Sequence, residues 1–231
     1  MFRFTLLMST FLFLLGSCKP DPVEPEPCIV FTGTPSQAES TFLDICFGNE
    51  FGEDHEYLRK WVDDIQIYLP NSHPELEETL DSVIITLNSL SESIQLHRVS
   101  DSAESNLILL IGSKLTYSDV YEPQAADLIS DNFGLFSATW NRYTFEISHG
   151  TVCIDIERES DLACLRHLLR EELTQVLGMM NDASPDPASI FHPIYQCTPS
   201  YRAEDLAMIQ TFLSDELSAG MCRQAVWEAI Q

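Results

Sequence analysis

Apolar and polar residues follow two different periods along the chain, and this predicts alternating strands and helices. The second half of 58–69 alternates like a strand, and 93–100 and 105–113 also have strand patterns. The run at 105–113 is almost entirely apolar, which predicts a central strand. Between the first two strands, a helix is predicted to begin near Pro74, a residue suited to a first helical turn. Its apolar face comprises Leu76, Leu80, Val83, Ile84, Leu87 and Leu90.

The second half of the chain continues with two strands and a long helix. The segment 134–156 is predicted to form a strand pair around a turn at His149-Gly150. The helix is predicted over 160–178, with Ser160 as its cap and Gly178 as its end.

A last helix over 203–217 completes the order β-α-β-β-ββ-α-loop-α, which predicts an α/β domain with a mixed sheet. The domain is preceded by "KPDPVEPEP" (19–27), a tether rich in proline and acidic residues that is expected to stay extended. Residues 28–231 are therefore predicted to be one folded domain, long enough to bury a core.

The N-terminus has the pattern of an export signal. Arg3 precedes an apolar run from Leu6 to Leu15, which is too short to span a bilayer and suits a signal peptide. The following "LLGSC" resembles the lipobox of bacterial lipoproteins, which implies a signal peptide over 1–17 and a lipid on Cys18. The protein would then be anchored to a membrane of the bacterial cell envelope, on its periplasmic or surface side. The alternative is an ordinary signal peptide, or a short uncleaved anchor, with an incidental cysteine.

The charge of the chain limits which partners it can bind, and its cysteine content indicates the redox compartment. The chain has 36 acidic and 12 basic residues, a net charge of −24, which argues against binding nucleic acid or anionic headgroups. If Cys18 carries lipid, an even number of cysteines remains, and up to three disulfides are expected in an oxidising compartment. Sequence proximity favours pairing Cys28–Cys46, Cys153–Cys164 and Cys197–Cys222, although the sequence alone does not select among the connectivities.

Three motifs occur in the same order as in a known class of enzymes. The helix "LREELTQVLGMMND" (169–182) has the frame of a zinc-binding helix without its histidines, and Ser189-Ile190-Phe191-His192-Pro193 follows it. Glu204-Asp205-Leu206 opens the last helix. Together they resemble the zinc helix, Met-turn and last helix of matrixin-like metzincins, which implies a metzincin-like mixed twisted sheet with a long central helix (160–178), a Met-turn-like loop and a C-terminal helix. The chain also resembles an exported bacterial family catalogued only as a domain of unknown function.

The resemblance places substituted residues at the zinc positions. Glu171, Gln175 and Asn181 stand where the ligands would be, and Phe191 replaces the Met-turn methionine. Amides are weak ligands for zinc, so no zinc or other cofactor is expected apart from the lipid on Cys18. A divalent metal held by oxygen ligands is the alternative, and His167 and His192 are candidates for displaced ligands.

Glu172 matches the residue that polarises zinc-bound water in active metzincins, so it is the candidate catalytic base if the protein is an enzyme. Glu171 and Glu172 point about 100° apart on a helix, so they are not expected to face each other. Glu172 is predicted to be a buried acid that bonds the Met-turn backbone. Asn181 and Asp182 are predicted to cap or bridge the turn after Gly178.

Three functions are compatible with these residues. The favoured one is a non-catalytic, pseudo-protease binding module that holds an extended peptide or an envelope protein, which would add to the edge strand around 134–140. The second is a metal-dependent hydrolase or peptidase with an oxygen-ligand site and Glu172 as general base. The third is a structural envelope lipoprotein without a specific ligand.

Overall fold

The computed structural model describes residue 25 and residues 27–50, 52–128 and 132–231. The predicted signal peptide (1–17), the predicted lipid site Cys18 and most of the tether (19–27) lie outside the described residues. No helix in these described ranges combines the length and apolar character needed to cross a bilayer.

Six strands and six α-helices make up the described part of the chain. The strands are β1 Lys60–Trp61, β2 Ile65–Tyr68, β3 Leu96–Val99, β4 Leu107–Gly112, β5 Gly134–Trp140 and β6 Glu146–Asp155. The helices are α1 Gln37–Phe47, α2 Pro74–Leu90, α3 Lys114–Thr116, α4 Leu162–Gln175, α5 Ala203–Leu213 and α6 Arg223–Ala229. Shorter helical turns occupy Ser102–Glu104, Tyr117–Tyr121 and Pro123–Asp127.

The strands form one mixed sheet in the order β3-β2-β4-β6-β5, with β1 pairing beside the start of β6. All pairs are parallel except β5 with β6, which is antiparallel. The prediction of an α/β domain with a mixed sheet is confirmed, as is the central position of β4. Within the described residues β5 pairs only with β6, so it forms one edge of the sheet, and β3 forms the other.

The predicted turn between β5 and β6 is wrong in its position. His149 and Gly150 lie inside β6, and the chain turns at 141–145 instead. The Asn141 side chain accepts hydrogen bonds from the amides of Tyr143 and Thr144, which stabilises this turn. Gly150 marks a close approach rather than a turn, because a Cβ there would stand 2.7 Å from Leu107 and 2.8 Å from Val176.

The long helix α4 begins one residue later than predicted. Asp161, not Ser160, is its cap, and its side chain accepts from the amide of Ala163 at 2.8 Å. Regular α-helix ends at Gln175, and the chain then turns at Gly178, whose φ of +126° suits glycine. The helix predicted near Pro74 is confirmed as α2, and the last predicted helix is confirmed as α5, which ends at Leu213 rather than 217.

The core lies mainly on one face of the sheet. The helices α2 and α4 pack against each other there, and α4 also contacts β5 and β6. A smaller apolar cluster covers the other face, where Tyr117 and Ala125 pack on Leu135 and Cys153. The helix α4 is therefore enclosed on most sides, and nearly all of its side chains are buried.

The three disulfides favoured by sequence proximity are wrong. Cys28 pairs with Cys222, and Cys164 pairs with Cys197. The folded chain brings these distant positions together by joining the segment before α1 to the start of α6, and the first turn of α4 to the loop before α5. Cys46 and Cys153 are free, because each is buried where no other cysteine meets it: Cys46 on the core face of α1 and Cys153 within β6.

A candidate ligand-binding cleft beside the edge strand

The helix α4 is held in one orientation at both of its ends. The Cys164–Cys197 disulfide anchors its first turn. At its C-terminal end the indole of Trp61 donates to the carbonyl of Val176 at 3.0 Å, which pairs a carbonyl that the helix leaves open. Gly178 then packs so closely that a Cβ would overlap the carbonyl oxygen of Arg59. The polar residues of α4 consequently have fixed surroundings.

The loop that resembles a Met-turn is buried and is fixed by Asp205 from α5. The Ser189 hydroxyl donates to Oδ1 of Asp205 at 2.6 Å, and the amides of Ile190 and Arg202 donate to its Oδ2 at 3.3 and 2.9 Å. Phe191 is fully buried in the core cluster that includes α4. Asp205, and not Glu172 as predicted, accepts the hydrogen bonds from this loop.

The three residues at the substituted ligand positions point to different partners. Glu171 lines a cleft beside α4. Gln175 is fully buried, and its amide nitrogen donates to Oδ1 of Asp182 at 2.8 Å. Asn181 turns away and donates to the carbonyl of Asp44 at the end of α1, 3.0 Å away. Asp182 therefore bridges the turn after Gly178 back to α4, as predicted, whereas Asn181 ties the chain to α1 instead.

The two histidines predicted as displaced ligands lie in different places. His167 is buried beneath Glu171, with Nε2 at 3.2 Å from Oε2 of that carboxyl and Nδ1 at 2.7 Å from the Thr198 hydroxyl. Burial, aided by the charge of Arg170, lowers the pKa of His167 to about 4, while burial raises the pKa of Glu171 to about 8. Both groups are therefore neutral near pH 6, and the contact is a hydrogen bond rather than an ion pair. His192 lines the cleft with Glu171.

Four carboxyl groups meet in a cleft of about 250 Å³ beside α4, which we name the acidic cleft. They belong to Glu50, Glu171, Glu172 and Asp182. Both Glu171 and Glu172 line this cleft, although neighbouring residues of a helix point about 100° apart. The remaining lining comprises Asn132, Phe133, Gly134, Leu168, His192, Pro193 and Tyr195. No lysine or arginine is among these lining residues.

Burial and mutual repulsion raise the pKa values of these carboxyl groups. Burial is the larger cause in each case, and it raises the pKa of Glu50 to about 7 and that of Asp182 to about 9. The pKa of Glu172 is raised well above its ordinary value by burial and by the charges of Glu171, Glu50 and Asp182. Glu50 stands at the mouth of the cleft, where its side chain keeps contact with solvent.

Glu172 is the most enclosed of the four, with 4% of its surface exposed. Its carboxyl lies against the backbone of Gly134, where a Cβ would overlap Oε1 and stand 2.7 Å from Cδ. Its Oε2 has no hydrogen-bond partner among the residues that the structure describes. A buried polar atom in this state commonly indicates a missing partner, and here the atom borders a cleft.

A second cavity of about 200 Å³ continues along β5, and we name it the edge groove. The two cavities are lined by different residues of the same three segments, 49–50, 134–135 and 180–182. The lining of the edge groove also includes apolar and aromatic residues from both sides of the sheet, among them Tyr117, Ala125, Leu128, Ala138 and Trp140. The acidic cleft and the edge groove are therefore neighbouring cavities, and both are lined by residues of the edge strand.

Sequence reasoning missed Glu50 and Gly134. Glu50 follows α1 in a loop without a recognisable motif, and its position depends on a hydrogen bond from its amide to the carbonyl of Met180 at 3.0 Å. Gly134 carried one available signal, a glycine opening a strand, which often marks a close approach of backbone. Within the described residues, no three His, Cys, Asp or Glu side chains are grouped so as to hold a metal ion.

The fold and the cleft define an α/β domain with a mixed sheet and an acidic cleft at its antiparallel edge. Residues 35–231 match the family described as "Protein of unknown function (DUF2927)", and the chain belongs to this family. A comparison with curated proteins found no match.

Proposed function

We propose that the protein is a non-catalytic, metzincin-like module that binds an extended peptide segment along β5. The observation that carries the proposal is the pair of neighbouring cavities lined by β5, an edge strand that pairs with β6 alone among the described residues. Edge strands offer unpaired backbone groups to an added strand, and neighbouring pockets select its side chains.

The order of elements supports the metzincin-like part of the proposal. The chain runs through a strand, a helix, two strands, an antiparallel edge strand and a further strand before α4. The buried loop at Ser189–Phe191 and the helix α5 follow, as the resemblance implies. The loss of catalysis is supported by the substituted ligand positions, since Gln175 and Asn181 donate to other protein groups.

The second candidate is a hydrolase that uses Glu172 as general base, and the four carboxyl groups in one cleft are the feature that favours it. A general base must be ionised at the working pH. Burial raises the pKa of Glu172 well above its ordinary value, which disfavours the ionised form that a general base needs. The peptide-binding proposal does not need an ionised Glu172.

The cell-envelope location and the lipid anchor remain part of the proposal. The two disulfides support an oxidising compartment, because such bonds rarely persist in the cytosol. We expect Cys18→Ser to move the exported protein from the membrane fraction to the soluble fraction of a bacterial host. A variant that stays membrane-bound would contradict the lipid anchor and leave the peptide-binding proposal intact.

Peptide binding is tested with displayed random decapeptides and the exported protein purified from an oxidising compartment. Selected sequences are synthesised with a fluorophore, and their affinity is measured by fluorescence anisotropy. Gln124→Trp places a large side chain at an exposed position of the edge groove, and His97→Trp makes the matched change on β3. We expect the first to weaken binding at least tenfold and the second to leave it unchanged. A library without enriched binders, or equal effects of the two variants, would overturn the proposal.

A further inference from the structure

We infer that the acidic cleft receives a cationic side chain, lysine or arginine, of the peptide bound along β5. This inference rests on the proposed peptide binding and adds the chemical class of the ligand. The observations that carry it are the four carboxyl groups, the absence of a basic residue from the lining given above, and the unpartnered oxygen of Glu172.

Charge complementarity identifies the occupant as a cation. Glu50, Glu171, Glu172 and Asp182 line the cleft without a lysine or arginine among the lining residues. The neighbouring Arg158 is paired with Asp155 at 2.8 Å, so the cleft gains negative potential whenever one of the four carboxyl groups ionises. Bringing carboxyl groups together in a low-dielectric site costs free energy unless a cation neutralises them. An anionic or apolar side chain would increase that cost or leave it in place.

The state of Glu172 points to a hydrogen-bond donor on that cation. Oε2 is buried, has no partner among the described residues and borders the cleft. An ammonium group has three N–H donors and a guanidinium has five. A donor of either kind, inserted from the cleft mouth past Glu50, would supply the missing bond to Glu172.

The mouth of the cleft suits the stem of a long basic side chain. The rings of Phe133 and Tyr195 lie 5.1 Å apart between centroids and both line the cleft. The Phe133 ring already has the guanidinium of Arg158 over it at 4.7 Å, so Tyr195, which is exposed, is the ring that an entering side chain would contact. Aromatic rings pack against the methylene groups of lysine and arginine and attract the charged end. A cleft of about 250 Å³ leaves room for the end of such a side chain together with water.

The position of the cleft fixes where the basic residue stands in the peptide. The cleft lies at Gly134, the first residue of β5, and the edge groove extends along the rest of the strand. A strand advances about 3.3 Å per residue, so neighbouring side chains on the same face of a bound peptide stand about 6.6 Å apart. One basic residue with apolar residues to one side of it is the expected pattern.

The test uses three matched pools of fluorescent, terminally blocked decapeptides. Each pool carries lysine, norleucine or glutamate at one fixed position, among random Ala, Val, Leu, Ser and Thr. We expect the lysine pool to bind at least tenfold more tightly than the norleucine pool, with the glutamate pool weakest. Glu50→Gln should remove most of the lysine advantage, and Glu104→Gln, the same change at an exposed residue outside the cleft, should not.

The outcomes separate this inference from the proposed function. Equal binding of the three pools, or an unchanged lysine advantage in Glu50→Gln, would overturn the inference and keep peptide binding. Binding by no pool would overturn both. Displacement of the lysine pool by Ca²⁺ or Mn²⁺ at stoichiometric concentration would identify the cleft as an inorganic cation site and would also overturn the inference.

Discussion

The carboxyl group of Glu172 lies directly against the backbone of Gly134, where no side chain has room. A Cβ at position 134 would overlap Oε1 of Glu172 and stand 2.7 Å from Cδ. This contact joins the last turn of α4 to the first residue of the edge strand. It places a buried carboxyl at the floor of the acidic cleft, and it makes the cleft sensitive to a single methyl group.

We expect Gly134→Ala to destabilise the protein by about 1–2 kcal/mol, because the added Cβ displaces a buried carboxyl. Gly112→Ala is the matched control in β4, since its Cβ would meet its nearest neighbour, Leu110, at 3.4 Å. Unfolding in urea measures both variants. In the Glu172→Ala background, which removes the obstructing carboxyl, the cost of Gly134→Ala should fall. An equal cost in both backgrounds would show that the two residues are not coupled.

Glu172→Gln should change the dependence of stability on pH. The folded-state pKa of Glu172 is raised, so its stabilising contribution is complete below about pH 4.5 and is lost as pH rises through the folded pKa. We therefore expect the variant to match the wild type at pH 5 and to have the larger free energy of unfolding at pH 9, where the wild type has lost this contribution. Glu171, Glu50 and Asp182 face the same carboxyl and contribute repulsion in the same direction. A difference that is constant from pH 5 to pH 9 would contradict this.

His167→Gln should change the stability at low pH, whereas Glu172→Gln changes it at high pH. Burial lowers the pKa of His167 to about 4, so its contribution is present above its unfolded value near 6.5 and is lost as pH falls toward 4. The stability advantage of the wild type over the variant should shrink by about 1–3 kcal/mol between pH 7 and pH 4. Denaturant unfolding at four pH values in this range measures the change. An advantage that grows on acidification would indicate that His167 is charged when folded.

Peptide mapping by mass spectrometry should find the bonds Cys28–Cys222 and Cys164–Cys197 in the exported protein. Cys46 and Cys153 should react with an alkylating reagent only after unfolding, because both thiols are buried and burial raises their pKa. Replacing both Cys164 and Cys197 by serine should cost about 3–4 kcal/mol, given their separation of 33 residues. A bond that involves Cys46 or Cys153 would contradict the structure.

Periodicity predicted the regular elements well where a segment buries one face. The apolar spacing after Pro74 indicated α2, and the apolar run at 105–113 indicated the central strand β4. It failed for the turn between β5 and β6, because Gly150 serves a close contact with Leu107 and not a change of direction. Local sequence does not distinguish these two uses of glycine.

The site could be predicted only in part, because its residues converge through tertiary contacts. Glu171 and Glu172 were singled out by their positions in the helix that resembles a zinc-binding helix, and both line the cleft. Glu50 reaches it through a backbone hydrogen bond to Met180, and no sequence pattern encodes that contact. The disulfides were mispredicted for the same reason, since Cys28 and Cys222 stand 194 residues apart.

The most direct test of the account is hydrogen–deuterium exchange with and without a saturating lysine-containing peptide selected from the pools. If the peptide adds to the edge strand, amide exchange should slow in residues 135–140 of β5. Exchange in β3, Leu96–Val99, at the opposite edge of the sheet, should not change. Bound peptide with unchanged exchange along β5, or with protection at β3 instead, would contradict the central claim that β5 and its cleft are the binding site.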